Sequence, residues 1–259
     1  MHTKDEYIAV FDSGVGGISV LRELVRQLPG ENFLYFGDSA NAPYGSRSTQ
    51  QVRQLTLSAA QMLTQRGIKA LVVACNTATA AAIELLRQTY PDTIIIGIEP
   101  ALKLAADRFP HGRIGVMATE VTLREEKLAH QLERFPQVQI DLIPAPGLVE
   151  LIEAGKAESP EAYALLDSLL SPYAGRLAAL VLGCTHYPFV RKTIGQILGS
   201  RTALLDGGEG TARQTRHCLE QAGLLREGTG SVQIENSLHS SRILSLSMAL
   251  LNEQQEAHL

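Results

Sequence analysis

The sequence predicts an α/β fold of two lobes, each a mostly parallel sheet wrapped by helices, with a cleft between them. Three observations predict it. Short apolar runs alternate with stretches of helical spacing from Tyr7 to Ile98, reading β-α-β-α-β-α-β. The pattern restarts near Glu99-Pro100. Finally, two segments far apart in the chain are near-copies: Leu71–Thr77 reads LVVACNT and Leu180–His186 reads LVLGCTH. Each is an apolar run that ends in a cysteine followed by polar residues. A short apolar run bounded in this way fits a buried parallel strand, so both thiols fall at strand ends.

The elements follow in order. Tyr7–Phe11 is an apolar strand ended by Asp12-Ser13-Gly14-Val15-Gly16-Gly17, and Val20, Leu21, Leu24, Val25 and Leu28 then recur at helical spacing over Ser19–Leu28. Pro29-Gly30 stops that helix, and Asn32–Phe36 is the second strand. Gly37–Ser48 is a loop rich in Gly, Ser, Asn and Pro. A helix over Thr49–Arg66 ends at Gly67, where a C-terminal cap belongs. Strand Ala70–Ala74, an Ala-rich helix to about Tyr90 and strand Thr93–Ile98 complete the first half. The second half reads helix Ala101–Phe109, strand Arg113–Ala118, helix Thr122–Arg134, strand Val138–Ile143, helices Leu148–Ala154 and Pro160–Ser171, strand Leu177–Leu182, helix Phe189–Leu198 and strand Thr202–Leu205. The remainder reads as helical, over Thr211–Ala222 and Ser240–Ala257. The restart begins a second lobe near residue 99.

Composition excludes several classes. The chain has 259 residues, 45% hydrophobic and 19% charged, with a formal charge of −4, so it lacks the basic balance of a nucleic-acid binder. No apolar run reaches the length of a membrane span. Met1–Tyr7 is polar and carries no signal-peptide core, so a cytoplasmic location with reduced thiols is expected. Three cysteines are too few for a disulfide scaffold. Cys218 falls in an amphipathic helix and reads as structural.

Two thiols on facing walls suit one reaction. Inverting a carbon that bears hydrogen requires a proton to leave one face while another arrives on the opposite face. Two acids of similar strength can exchange those roles, and cysteine's pKa of about 8.5 can be tuned toward the working pH. Rival readings stay open on the residues alone. Either cysteine fits a small buried hydrophobe. A Cys, Cys, His set could bind zinc, but no fourth ligand or familiar spacing is evident. The Asp12–Gly17 turn lacks the glycine that a dinucleotide fingerprint needs at Ser19, and it lacks the Gly-Lys-Ser/Thr of a phosphate loop. Its free N–H groups at a helix start can hold a carboxylate or form a tight turn. Asp12 fits a base, an ammonium partner or a helix cap. Asn76, Thr77 and Thr185 fit ligand contacts or caps, and His186 can orient or activate the Cys184 thiol. Asp38 and Asn41 read as turn formers, and Glu153, before Gly155, reads by default as a solvated acid.

Five segments together resemble the glutamate racemases, cofactor-independent enzymes of bacterial cell-wall synthesis. They are Phe11–Arg22 (FDSGVGGISVLR), Tyr35–Gly45 (YFGDSANAPYG), Ala74–Ala78 (ACNTA), Gly97–Pro100 (GIEP) and Leu182–Pro188 (LGCTHYP). The resemblance implies that Cys75 takes the α-proton of D-glutamate and Cys184 that of L-glutamate, assisted by Asp12 and His186 respectively. It further implies that Asp12, Ser13, Pro43, Tyr44, Gly45, Asn76, Thr77, Thr119, Thr185 and His186 hold the substrate, with Glu153 as an auxiliary acid. It implies no metal and no other cofactor, a small amino-acid substrate, a homodimer, and a second lobe over 99–206 with 207–259 returning to the first lobe of 1–98, while the acidic balance and short apolar runs leave no nucleic-acid or membrane partner expected. Pro146–Glu150 and Leu205–Gly208 depart from the family pattern. An aspartate or broader amino-acid racemase of the same superfamily is the alternative activity. A two-lobed solute-binding protein without turnover is the alternative class.

Overall fold

A computed structural model describes residues 2–124 and 126–253. Two separate sheets form, and every strand pair is parallel. The first holds β1 (Tyr7–Asp12), β2 (Phe33–Gly37), β3 (Ile68–Val73), β4 (Ile94–Gly97) and β9 (Val232–Asn236), in the order β4-β3-β1-β2-β9. The second holds β5 (Arg113–Ala118), β6 (Gln139–Pro144), β7 (Ala179–Leu182) and β8 (Ala203–Asp206), in the order β6-β5-β7-β8. The predicted α/β class with two helix-wrapped parallel sheets is therefore observed.

The helices are α1 (Ile18–Gln27), α2 (Thr49–Thr64), α3 (Asn76–Thr89), α4 (Leu102–Arg108), α5 (Glu120–Arg124), α6 (Glu126–Glu133), α7 (Leu148–Glu153), α8 (Pro160–Leu170), α9 (Arg191–Leu198), α10 (Gly208–Gln221) and α11 (Ser241–Asn252). Local chemistry sets several starts. Ser48 and Gln51 form a reciprocal capping box on α2, and Ser159 caps α8 ahead of Pro160. α2 and α3 pack together along the first sheet, and α1 packs with α10 and α11. The interior strands β3 and β7 are buried at every residue, which is why β7 and the Ala70–Val73 part of β3 are continuous apolar runs.

The strand orders position the site. Leaving β9 aside, each sheet runs second-first-third-fourth in its own chain order. The chain leaves the first strand to one side, then crosses to the other, so loops diverge between the first and third strands. Ligands bind at such switch points, beyond the carboxyl ends of the strands. In both sheets the third strand carries the cysteine, so the repeated segment occupies equivalent positions.

Two expectations are corrected. The chain after α10 is not wholly helical: β9 extends the first sheet beside β2. Its Val-Gln-Ile-Glu-Asn sequence alternates too briefly to announce a strand, and its pairing with β2 supplies the order. The helix expected over Thr122–Arg134 is found as helix on both sides of residue 125, over α5 and α6, and residue 125 itself lies outside the described residues. The start of the helix expected over Phe189–Leu198 is a 3₁₀ turn, Tyr187–Val190, leading into α9. The last part of the helix expected over Ser240–Ala257, residues 254–257, also lies outside the described residues. No helix among the described residues is long and apolar enough to cross a membrane.

Candidate active site

Both cysteines stand at the carboxyl ends of their strands. Cys75 caps α3, with its sulfur accepting from the Ala78 N–H at 3.4 Å. The Ser13 hydroxyl lies 3.5 Å from the same sulfur. Cys184 follows β7 by one glycine, and His186 Nδ1 lies 3.7 Å from its sulfur. The two thiols line one cleft of about 300 Å³ together with Ser13, Pro43, Tyr44, Gly45, Asn76, Thr77, Thr119, Val149, Thr185 and His186. Each wall of the cleft thus contributes one sulfur.

The polar groups behind the cleft tie the lobes together. Asp12 accepts from the Gly14 N–H at 2.9 Å and from the Thr185 hydroxyl at 2.9 Å. The Ser19 hydroxyl donates to the Thr185 carbonyl at 2.8 Å. Glu153, at the end of α7, takes the His186 Nε2 and the Val15 N–H on one oxygen, both at 2.6 Å. Its other oxygen accepts from the Ser39 hydroxyl at 3.0 Å. The glycines of the Asp12–Gly17 turn serve this packing. A Cβ at Gly14 would collide with the Glu153 carboxylate, and one at Gly16 with the His186 ring. Two N–H groups of the turn do hold carboxylates, and both are the protein's own: Gly14 on Asp12 and Val15 on Glu153.

The electrostatics of the two thiols differ. Burial, then the Asp12 charge, pushes the Cys75 thiol up to about 12, against the pull of Ser13 and the Ala78 N–H. Burial also raises Asp12, against the His186 charge and the Thr185 hydrogen bond. Burial alone would lower His186; its hydrogen bonds to Cys184 and Glu153, and their charges, outweigh that and hold it well above its ordinary value. Burial alone would raise Glu153; the His186 hydrogen bond and charge, then Val15 and Ser39, outweigh that and hold it below its ordinary value. His186 and Glu153 are therefore an ion pair near neutral pH, with the imidazolium set against Cys184.

Thr77, Thr119 and Thr122 form a hydroxyl triangle with sides of 3.0–3.3 Å. The Tyr44 hydroxyl donates to Asp38 at 2.7 Å, so this buried ring is held by the loop after β2. Asn41 also donates to Asp38, in keeping with the turn role read for both. Asn76 Oδ1 is buried and has no partner among the described residues. No group of three or more His, Cys, Asp or Glu side chains is placed to hold a metal ion among the described residues.

Residues 8–215 match the sequence model of the Asp/Glu/Hydantoin racemase family. The chain belongs to that family. Within the Asp/Glu/Hydantoin racemases it is 48% identical to a glutamate racemase of Clostridium kluyveri, over 98% of this chain and 100% of the relative. It superposes on the glutamate racemase of Thermus thermophilus, solved with β-chloro-D-alanine, with a TM-score of 0.81 at 36% identity, covering 98% and 96% of the two chains. For the Francisella tularensis glutamate racemase, solved with D-glutamate, the TM-score is 0.83 at 26% identity, again over 98% and 96%. Sequence reasoning had not singled out Val149 in the cleft, Ser39 on Glu153, or Asn236 behind Ser39. A lone valine, a loop serine and an asparagine near a turn carry no signal of their own.

Proposed function

We propose that the cleft interconverts L- and D-glutamate by two-base proton transfer between Cys75 and Cys184. The observation that carries this reading is the pair of strand-end thiols, one from each sheet, lining a single cavity. In the L-to-D direction the Cys184 thiolate, beside the His186 cation, takes the α-proton. The Cys75 thiol delivers its own proton to the opposite face. Cys184 ends as the thiol and Cys75 as the thiolate, and the reverse reaction exchanges these roles. Protons balance, and nothing is oxidised.

Among the described residues the lining contains no lysine or arginine. Substrate carboxylates would rest on N–H groups at the start of α3 and on the hydroxyls of Ser13, Thr77, Thr119 and Thr185. The unpartnered Asn76 oxygen suits the substrate ammonium. Asp12 contributes its charge to the Cys75 side, although its hydrogen bonds run to Gly14 and Thr185. Pro43, Tyr44 and Gly45 line the cavity, with Gly45 packed against Thr119.

This reading includes supply of D-glutamate for the bacterial cell wall, a cytoplasmic location, a homodimer, and lobes divided at 98/99 and 206/207. Circular dichroism of L- and D-glutamate and of L- and D-aspartate incubated with the enzyme tests the activity. Loss of signal with both glutamate enantiomers and a constant signal with aspartate is expected. Unchanged signals throughout, with the ligand raising the melting temperature, would instead favour a binding protein.

A further inference from the structure

We propose that Ser39 and Asn236 are positioning residues that fix the Glu153 carboxylate, and through it the His186 ring, on the Cys184 side of the cleft. This rests on the two-thiol racemase reading above. Neither residue lines the cavity.

Glu153 is the last residue of α7, where the helix's own carbonyls disfavour a negative charge. Its carboxylate depends on donors from other elements, and Ser39 supplies the one on the oxygen that His186 does not use. A serine hydroxyl has one proton and can donate it in several directions. Here the direction is set from behind. Asn236 Nδ2 donates to Ser39 Oγ at 2.8 Å, so the serine's own proton goes to Glu153. The orientation of Asn236 is set in turn, because its Oδ1 accepts from the Leu238 N–H at 3.0 Å. Asn236 is 3% exposed and opposes Gly37 in the β2–β9 register, and a Cβ at Gly37 would press on its amide. The result is a directed chain: Asn236, Ser39, Glu153, His186, Cys184.

Neighbouring contacts hold both ends of that chain. The Ser237 hydroxyl accepts from the Ala40 N–H at 2.9 Å, and the Ser237 N–H donates to the Gly37 carbonyl at 3.0 Å, fixing the loop that carries Ser39. From α11, Arg242 donates to the Ala154 carbonyl at 2.7 Å, fixing the residue after Glu153. The β9–α11 segment thus braces one acid of the cleft without entering it. Among the described residues the Cys75 sulfur has no contact of this kind and is held by Ser13 and the start of α3.

The test uses the full-length enzyme with Ser39→Ala, Asn236→Asp and the conservative Ser39→Thr. Asn236→Asp replaces the donor with an acceptor, which draws the Ser39 proton away from Glu153. Kinetics of both enantiomers, primary isotope effects with α-deuterated L- and D-glutamate, and thermal melting are measured. Loss of one charge-assisted hydrogen bond should lower kcat about five- to tenfold for Ser39→Ala and Asn236→Asp, with KM changed less than about twofold. Because only the Cys184 step is impaired, the isotope effect on kcat/KM should rise for deuterated L-glutamate and fall for the D-enantiomer. Ser39→Thr should return both isotope effects to wild-type values. Isotope effects that stay at wild-type values in Ser39→Ala and Asn236→Asp, or that move together for both enantiomers, would overturn the positioning role while leaving the racemase reading intact. A wild-type enzyme that fails to racemise glutamate would overturn both.

Discussion

Cys75 and Cys184 occupy the same frame in different electrostatic company. Each ends the third strand of a four-strand unit with the same order, and each opens toward the same cleft. Around Cys75 the groups are a hydroxyl, a helix N–H and the Asp12 carboxyl, and burial keeps this thiol protonated. Around Cys184 stands an imidazolium paired to Glu153. The duplication supplies two-fold geometry, and the neighbours break its symmetry. The two sulfurs therefore stand in unlike surroundings before any substrate arrives.

The largest effect should come from removing either sulfur. Cys75→Ala and Cys184→Ala are each expected to lower racemisation by about 10³-fold or more, because inversion needs a proton carrier on both faces. Circular dichroism of L- and D-glutamate provides the assay, and full turnover in either variant would refute the two-thiol reading. The next effect separates the two sides. His186→Asn and Asp12→Asn should each lower kcat/KM by about 10²-fold. Their isotope effects should shift in opposite senses: up for α-deuterated L-glutamate with His186→Asn, and up for the D-enantiomer with Asp12→Asn. Matching shifts would mean that the two thiols are served by one shared network.

A smaller effect on turnover, with a clear pH signature in stability, attaches to the Glu153–His186 pair. Glu153 is held below its ordinary value of 4.5, so its contribution is present above that pH and is lost as pH falls through the lower folded value. His186 is held above 6.5, so its contribution is complete below that pH and is lost as pH rises through the higher folded value. Both contributions are complete only between these two ordinary values. Glu153→Gln should therefore lower the melting temperature most in that window, by about 5 °C, since breaking a buried pair is costly. Melting curves at pH 3.5, 5.5 and 9 give the comparison. A deficit that does not change with pH would show that the pair is not ionised.

How much of this was legible differed residue by residue. The two thiols were visible because each ends an apolar run, and a strand end is local information. Asp12 and His186 lie next to such ends and shared in that visibility. Glu153 was weak in isolation, because a glutamate ending a short helix has the same sequence whether it faces water or an imidazole. Its value depends on Val15 and Ser39, far away in the chain. β9 and Asn236 were not legible at all. An edge strand of alternating polar residues is ordered by its partner β2, and that pairing spans most of the chain. The glycines after Asp12 were legible as a turn, but their purpose, room for Glu153 and His186, belongs to contacts between lobes.

The smallest effect on the chemistry should come from the other end of the first sheet. Lys69, at the start of β3, is fully buried and lies 2.5 Å from Glu31. Its ammonium also donates to the carbonyls of Lys4 and Leu224, while Glu31 accepts from the Arg226 N–H at 2.8 Å. Lys69→Met leaves the Glu31 charge buried without its cation. Such a loss costs about 3–5 kcal/mol, or roughly 6–15 °C in melting temperature for a chain of this size. The cleft lies at the opposite ends of the strands, so at 25 °C kcat should stay within about twofold and both isotope effects should be unchanged. A second substitution, Glu31→Leu, should recover only part of the stability. It removes the stranded charge, but the Lys4 and Leu224 carbonyls and the Arg226 N–H still lack their partners. If Lys69→Met instead shifted the isotope effect for one enantiomer, the asymmetry between the thiols would belong to the whole sheet rather than to the groups beside each sulfur.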